Sequence, residues 1–334
     1  MIVDRTTGGI GVVVNPRAVC GARAALCDEA LRRLRARWPI TTVATVGDGR
    51  DHDRIVGLIE TAKPTIVVAA GGDGTVHAVV RGLHAAGAPS RAQLGILPFG
   101  TGNNVARGLG LLTLPGRDAA PLERAIAALL EGVERCIDLG RVGPNIFVGS
   151  FAAGMDGAIL AARNRWRRRW QREQQSGGYA LYLVSCAVNL ARHRAVAGRL
   201  SADGTPWEGR LFNLLLTNTP LYAGEFRFDG RDHSADGRLD LQVFNGPLDY
   251  VRAFVAAWRR HVHQQRGMPV TPAPRLRRVE RVVIESARPL PIQLDGEEYP
   301  AADRYEVAVL PRALRVCVPR TPGSAGGPPA GREE

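Results

Sequence analysis

With 334 residues and 45% apolar side chains, the chain is long for one ordinary domain and sufficient for two with genuine cores, so disorder is expected only at its ends. A formal net charge of +12 favours an anionic partner, whether nucleotide, nucleic acid or acidic lipid headgroups. The longest strongly apolar stretch, Ala180 to Ala191, falls short of the roughly 20 residues a membrane span needs; no charged-then-apolar leader opens the chain, and the five cysteines form no C-x-x-C pair, so a span, a signal peptide and a zinc or redox site are not expected and a cytosolic location is.

Ile10 to Val14 is a short apolar run closed by Asn15-Pro16, the way a buried parallel strand ends. Ala22 to Trp38 then carries apolar residues at helical spacing with arginines between them. A second strand is predicted over Thr41 to Val46, a second helix over Asp51 to Ala62, a third strand over Thr65 to Ala70, a helix over Val76 to Ala86 and a fourth strand over Gln93 to Leu97. Strand and helix alternate, so residues 1–135 read as a doubly wound α/β domain.

Beyond Cys136 the pattern changes to short strand-like runs: Ile146 to Ala152, Arg210 to Leu216, Leu239 to Val243, Val279 to Glu285 and Tyr305 to Leu310. Helices are expected at Tyr179 to Arg192 and Leu248 to Gln264. Residues 136–318 therefore read as a largely antiparallel β-sandwich whose last strand can return to the first domain, and 319–334 as a disordered Pro/Gly-rich tail.

Lys63 is the single lysine and sits in no phosphate motif. A Walker A loop and a protein-kinase site each require a lysine, so neither mechanism operates here. Any triphosphate must be held by backbone amides, arginines and metal.

Two polar glycine loops meet that requirement. Gly71-Gly72-Asp73-Gly74-Thr75 follows the third strand and opens a helix, where amides and the positive dipole end face an anion. Asp73 would repel a bare phosphate and implies Mg²⁺ in the contact. Pro98-Phe99-Gly100-Thr101-Gly102-Asn103-Asn104 follows the next strand. In an open α/β sheet both loops would face one crevice beyond the strand ends, where Thr101 and Asn103 can donate to a nucleotide. Either loop alone is also readable as a simple turn.

These motifs, with Asn15-Pro16, Ala106-Arg107, Asp236-Gly237, Leu239-Asp240 and Asp295-Gly296-Glu297 in order, resemble the diacylglycerol kinase catalytic-domain family, which includes sphingosine kinases and bacterial lipid kinases. The resemblance spans roughly residues 10–310. It implies a nucleotide-binding domain backed by a β-sandwich, with the active site between them, and transfer of the γ-phosphate of MgATP to a lipid hydroxyl. It implies ATP contacts at Asn15, Pro16, Arg17, Thr45, Gly71, Gly72, Asp73, Gly74, Thr75, Val76, His77, Gly100, Thr101 and Asn103. It further implies Glu297 as proton acceptor assisted by Asp295, with Asp73 beside them, and a structural Mg²⁺ held by Asp236 and backbone oxygens of His233 and Arg238. From the residues alone, Asp295-Gly296-Glu297 is equally a hairpin turn with solvated acids. The chain departs from the family at Arg17 to Gly21, where Ser-Gly is usual, at His77-Ala78 in place of Asn-Glu, and at Asn104 in place of Asp.

Trp166 and Trp170 share a helical face among Arg165, Arg167, Arg168, Arg169 and Arg172, which suits the headgroup level of an anionic membrane and equally a solvated surface helix. A peripheral site on the inner membrane face is expected for a kinase whose acceptor has acyl tails. No nucleic-acid module is present. A homodimer stays open, as does the lipid. The rivals are an NAD kinase, which shares the Gly-Asp loop, and a non-catalytic nucleotide- or lipid-binding protein.

Overall fold

A computed structural model describes residues 8–112, 122–169, 178–229, 233–271, 273 and 276–320, with backbone alone at 167–169 and 178–183. The N-terminal α/β domain contains β1 (Ile10–Val14), α1 (Ala22–Arg35), β2 (Ile40–Ala44), α2 (Asp51–Ala62), β3 (Ile66–Gly71), α3 (Asp73–Ala85), β4 (Gln93–Pro98), α4 (Asn104–Gly108) and α5 (Glu123–Glu131). Strands β2, β1, β3 and β4 lie side by side in that order, all parallel. Every residue of β3 and β4 is buried, as strands covered on both faces must be. Alternation along the strands divides the core: Val13, Val67 and Ala69 pack under α2 and α3 with Ile55, Ile59, Val79 and Leu83, whereas Val12, Val68 and Ala70 pack under α1 and α5 with Leu31, Leu34 and Ile126. Parallel pairing sends every carboxyl end to one edge, so Asn15, Thr45, Gly72 and Gly100 follow strands that finish on a common rim.

The C-terminal β-sandwich domain comprises β5 (Val133–Val142), β6 (Asn145–Phe147), β7 (Ser150–Gly154), α6 (Met155–Arg169), α7 (Gly178–Arg192), β8 (Val196–Ala202), β9 (Thr205–Leu211), β10 (Asn213–Thr217), β11 (Leu221–Tyr222), β12 (Phe226–Arg227), β13 (Leu239–Phe244), α8 (Pro247–Gln265), β14 (Arg277–Val279), β15 (Arg281–Leu294) and β16 (Glu297–Val318). Its core is built around Phe147, Phe151, Leu214, Leu216, Ile284 and Leu294. The 22-residue β16 leaves the β15 hairpin, pairs with β5, and ends in parallel beside β4 at Val316 and Leu94. A single hydrogen-bonded path therefore runs from β14 at one end to β2 at the other, and this continuity fixes the β15–β16 turn relative to the rim of β1 to β4.

Several strands differ from the sequence reading for identifiable reasons. The run Ile146 to Ala152 is broken into β6 and β7, because the amides of Val148 and Gly149 leave the ladder to bind the Asp295 carboxylate. The run Arg210 to Leu216 is broken at Phe212, whose amide turns to the Phe244 carbonyl. The β8–β9 hairpin lies mostly outside the strand runs read from the sequence, and its Leu200, Ala202 and Leu211 join the sandwich core. The predicted helix at Val76 starts earlier, at Asp73, so the first glycine loop is shorter than expected. Residues 321–334 of the Pro/Gly-rich tail lie outside the described residues.

Candidate active site

The first loop is tight because Thr75 and Val76 both donate to the Gly72 carbonyl, closing the opening turn of α3 at once. The amides of Asp73 and Gly74, ahead of them, are the free donors of the helix start. Gly72 lies against the second loop so closely that a Cβ on Gly100 would stand 2.4 Å from the Gly72 Cα. Two backbones at that separation require glycine at both positions. Asn103, at φ 49°, then closes the second loop on itself, accepting from the Gly100 amide at 3.0 Å and donating to its carbonyl at 2.8 Å.

Asp73 joins the loops. Its Oδ1 accepts from the Val105 amide at 3.3 Å and its Oδ2 from Asn104 Nδ2 at 3.1 Å, so the carboxylate sits at the start of α4. Burial pushes its carboxyl up, partly offset by the bonds from Asn104 and Val105, and the nearby Asp295 charge pushes in the same upward direction. Asn104 in turn accepts from the Gly224 amide at 2.5 Å, which ties the second loop to the β11–β12 turn of the sandwich domain. The sequence departure at Asn104 thereby acquires a physical meaning: an amide can donate to Asp73 where a carboxylate cannot.

Around the rim, Asn15 donates to Thr75 Oγ1 at 3.3 Å and accepts from the Arg17 amide at 3.0 Å. The exposed Arg17 guanidinium lies over Gly47, just beyond Thr45. Arg23 donates to the Phe99 carbonyl at 2.9 Å and braces the second loop from α1. Pro16 and Thr101 are exposed. Val76 and His77 do not face this rim, both being 3% exposed. Val76 belongs to the core under α3, and His77 uses both ring nitrogens elsewhere, so only their backbones can serve a nucleotide.

The acidic turn is a two-residue hairpin between Leu294 and Glu297, with Asp295 at φ 50° and Gly296 at φ 85°, the conformation Asp-Gly favours. Its two acids have opposite fates. The Asp295 side chain is buried, with Oδ1 accepting from the amides of Gly149 at 2.7 Å and Ser150 at 2.9 Å. Its Oδ2 accepts from the Val148 amide and from His77 Nδ1, each at 2.8 Å. Burial alone would raise its carboxyl; the His77 bond and charge, with the Val148 and Ser150 amides, outweigh this and hold it below the usual carboxylate range. The lone pairs of Asp295 are spent on holding the turn to β7 and α3, so its bearing on Glu297 is through the position of the hairpin. Glu297 is exposed, and its Oε1 lies 3.0 Å from where a Cβ on Gly74 would stand. Glu297 and the Asp73-Gly74 helix start therefore share one cleft.

The expected cation turn is corrected. The Asp236 carboxylate is paired with Arg278 and, at 3.4 Å, with His233, and it accepts from the Arg238 amide at 3.0 Å. A carboxylate neutralised by a guanidinium does not fit the structural Mg²⁺ expected there. Trp166 is half-buried in α6, and Trp170 lies outside the described residues. Among the described residues no helix is long and apolar enough to cross a membrane.

Sequence reasoning missed the residues that hold these groups. Val148 to Ser150, Asn218, Gly224 and Tyr299 carry no motif. Asn218, for example, pins the Val148 carbonyl at 2.9 Å and that of Asp138 at 2.7 Å. Only Gly149 between apolar runs offered a signal of close backbone approach.

Comparison with known proteins identifies the family. Residues 9–142 match the diacylglycerol kinase catalytic domain, and residues 149–318 match the YegS C-terminal NAD kinase beta sandwich-like domain. A protein of Pseudomonas aeruginosa PAO1 named "Probable lipid kinase YegS-like" is 32% identical over 292 residues, covering 87% of this chain and 86% of its own. One of the same name from Pseudomonas fluorescens Pf-5 is 30% identical over 295 residues, covering 88% and 91%. The crystal structure of a diacylglycerol kinase from Bacillus anthracis strain Sterne superposes with a TM-score of 0.67 at 16% identity, covering 93% of this chain and 97% of that one, a likeness of fold. With both domains matched in order and relatives at 30% and 32% identity over most of their length, the chain belongs to the YegS-like lipid kinases of the diacylglycerol kinase catalytic-domain family.

Proposed function

We propose that the chain transfers the γ-phosphoryl group of MgATP to a hydroxyl of a lipid, with Glu297 accepting the hydroxyl proton. The observation that carries this reading is the approach of the exposed Glu297 carboxylate to Gly74 at the amino end of α3. A triphosphate lying across the ends of β1 to β4 meets the first-turn amides of α3 and the glycine backbone of the second loop, and Arg17 supplies a cation from the β1 side. The Asp73 carboxylate accepts from Asn104 and Val105, and its remaining lone pairs would serve the Mg²⁺ that accompanies the nucleotide. Phosphoryl transfer requires chiefly alignment and charge neutralisation, and both are available without a lysine.

Glu297 acts at the acceptor side. Its hairpin is held by Asp295 to the 148–150 amides and by Gln293, which accepts from the Gly296 amide at 2.6 Å. The base is thus fixed in position while its own carboxylate stays in contact with solvent and acceptor. Purified protein incubated with labelled ATP, Mg²⁺ and separate panels of diacylglycerol, sphingoid base, ceramide and prenol, then NAD, tests the reading. Labelled phospholipid product supports it; labelled NADP would instead select an NAD kinase, the reading that the description of the C-terminal domain model keeps in view.

A further inference from the structure

The helix α8 has two apolar faces and only one is covered. Phe254, Ala257 and the half-buried Tyr250 and Ala253 pack on Phe244, Leu215 and Phe228 of the sandwich. Leu248, Val251, Val255 and Trp258 point away from that contact and are 70%, 38%, 44% and 47% exposed. At 3.6 residues per turn these four fall within about 80° of the helix circumference. Such a stripe is four large side chains long on a 19-residue helix, and it differs from the singly scattered apolar residues normal on a protein surface.

Charge says what covers it. The other exposed residues of α8 are Pro247, Arg252, Arg259 and His263, with no acid among them. Arg252 and Arg259 flank the stripe on one side, and Asp249, the acid of the first turn, is turned back to accept from the Asn245 amide at 3.1 Å. Apolar side chains with Trp in line and arginines alongside are the pattern of a helix lying in the plane of an anionic bilayer surface, the Trp at headgroup depth and the guanidinium groups on phosphate. The helix does not meet the requirement for crossing a membrane. Its buried side packs on β12, whose hairpin partner β11 adjoins α4 and whose turn holds Asn104 through Gly224, so a surface bound by α8 lies next to the acceptor side of the cleft.

We infer that α8 is the membrane-docking element of this protein, binding the surface of an anionic phospholipid bilayer through Leu248, Val251, Val255 and Trp258 with Arg252 and Arg259. The inference rests on the lipid-kinase reading only for its purpose, since docking is measurable without turnover. It places the membrane contact on α8 instead of on the Trp166 segment of α6.

The test is flotation of the full chain with vesicles of phosphatidylcholine alone and of phosphatidylcholine with phosphatidylglycerol, alongside kinase assays on dioctanoylglycerol in solution and on long-chain diacylglycerol in the same vesicles. Wild-type protein floats with the anionic vesicles. Val255→Ser with Trp258→Ser reduces binding tenfold or more, on the order expected for withdrawing two large apolar side chains, and Arg252→Gln and Arg259→Gln each weaken it about fivefold. Activity on dioctanoylglycerol is unchanged in all three variants, and activity on the vesicle substrate falls with binding. Anionic-vesicle binding unaltered by the Val255 and Trp258 changes overturns the inference. So does a wild-type dimer in sedimentation that those changes dissociate without altering vesicle binding, since the stripe then belongs to a second copy. Vesicle binding that tracks α8 while no diacylglycerol form is phosphorylated upholds the docking role and counts against that lipid as acceptor.

Discussion

His77 Nδ1 stands 2.8 Å from Asp295 Oδ2, and its Nε2 stands 3.1 Å from the Tyr299 hydroxyl. One side chain of α3 therefore holds both the turn of the β15–β16 hairpin, at Asp295, and its second strand, at Tyr299. This clamp ties the hairpin that carries Glu297 to the helix that opens at the first glycine loop. His77→Ala is expected to cost about 1–3 kcal/mol of stability through the lost bond to the buried carboxylate, which keeps its three amide donors, and to lower kcat with it. In His77→Asn the carboxamide nitrogen takes the Nδ1 position and keeps the Asp295 bond while losing Tyr299. Urea denaturation of the two variants should therefore rank them wild type, Asn, Ala.

Asp295 gives a pH signature. A carboxyl held below its ordinary range when folded contributes stability that is complete above the unfolded-state value, near 4, and that is lost as pH falls through the lower folded value. Wild-type stability should fall on acidification below about pH 4 with this group contributing. Asp295→Asn, which turns an NH₂ toward backbone amides, should lose about 2–4 kcal/mol at neutral pH and show a shallower acid limb in thermal unfolding.

Two glycines separate folding from catalysis. In Gly100→Ala the new Cβ meets the Gly72 Cα at 2.4 Å, and backbone cannot retreat as a side chain can. That variant should lose the loop geometry and ATP binding together. In Gly74→Ala the nearest atom is Glu297 Oε1 at 3.0 Å, the far end of a flexible side chain. Folding and ATP affinity should survive while kcat drops, by about tenfold or more if the carboxylate moves by 1 Å. Isothermal titration with ATP beside steady-state kinetics distinguishes the two patterns.

Asn104→Asp tests the joint between the loops. The 3.1 Å bond from Asn104 to Asp73 becomes a contact of two carboxylates, one of which must take a proton or a cation. The sign follows: the pair's raised proton affinity makes the variant least stable at neutral pH and progressively closer to wild type as pH falls toward 5. Added Mg²⁺ should also recover stability in the variant more than in wild type. Thermal melts across pH with and without Mg²⁺ measure both effects.

The bounds of α2 and the approach of the two glycine loops were legible because each depends on local pattern: apolar period, glycine after a buried strand, parallel strands ending at one rim. The fate of Asp295 was not legible. An acid in an Asp-Gly turn is ordinarily solvated, and what buries this one is a set of amides about 145 positions earlier in the chain. The long β16 was read only over Tyr305 to Leu310, since Glu297, Glu298, Asp303 and Arg304 give its first half the composition of a loop. The pattern of α8 identified a helix, but which apolar face is covered depends on where Phe244 and Phe228 arrive.

The role of Glu297 is tested most directly by single-turnover transfer of labelled phosphate from ATP to a lipid acceptor by wild type and by Glu297→Gln, with ATP binding measured on both. The account predicts that Glu297→Gln binds MgATP as wild type does and transfers phosphate about 10²- to 10⁴-fold more slowly. Transfer at the wild-type rate by Glu297→Gln would contradict it.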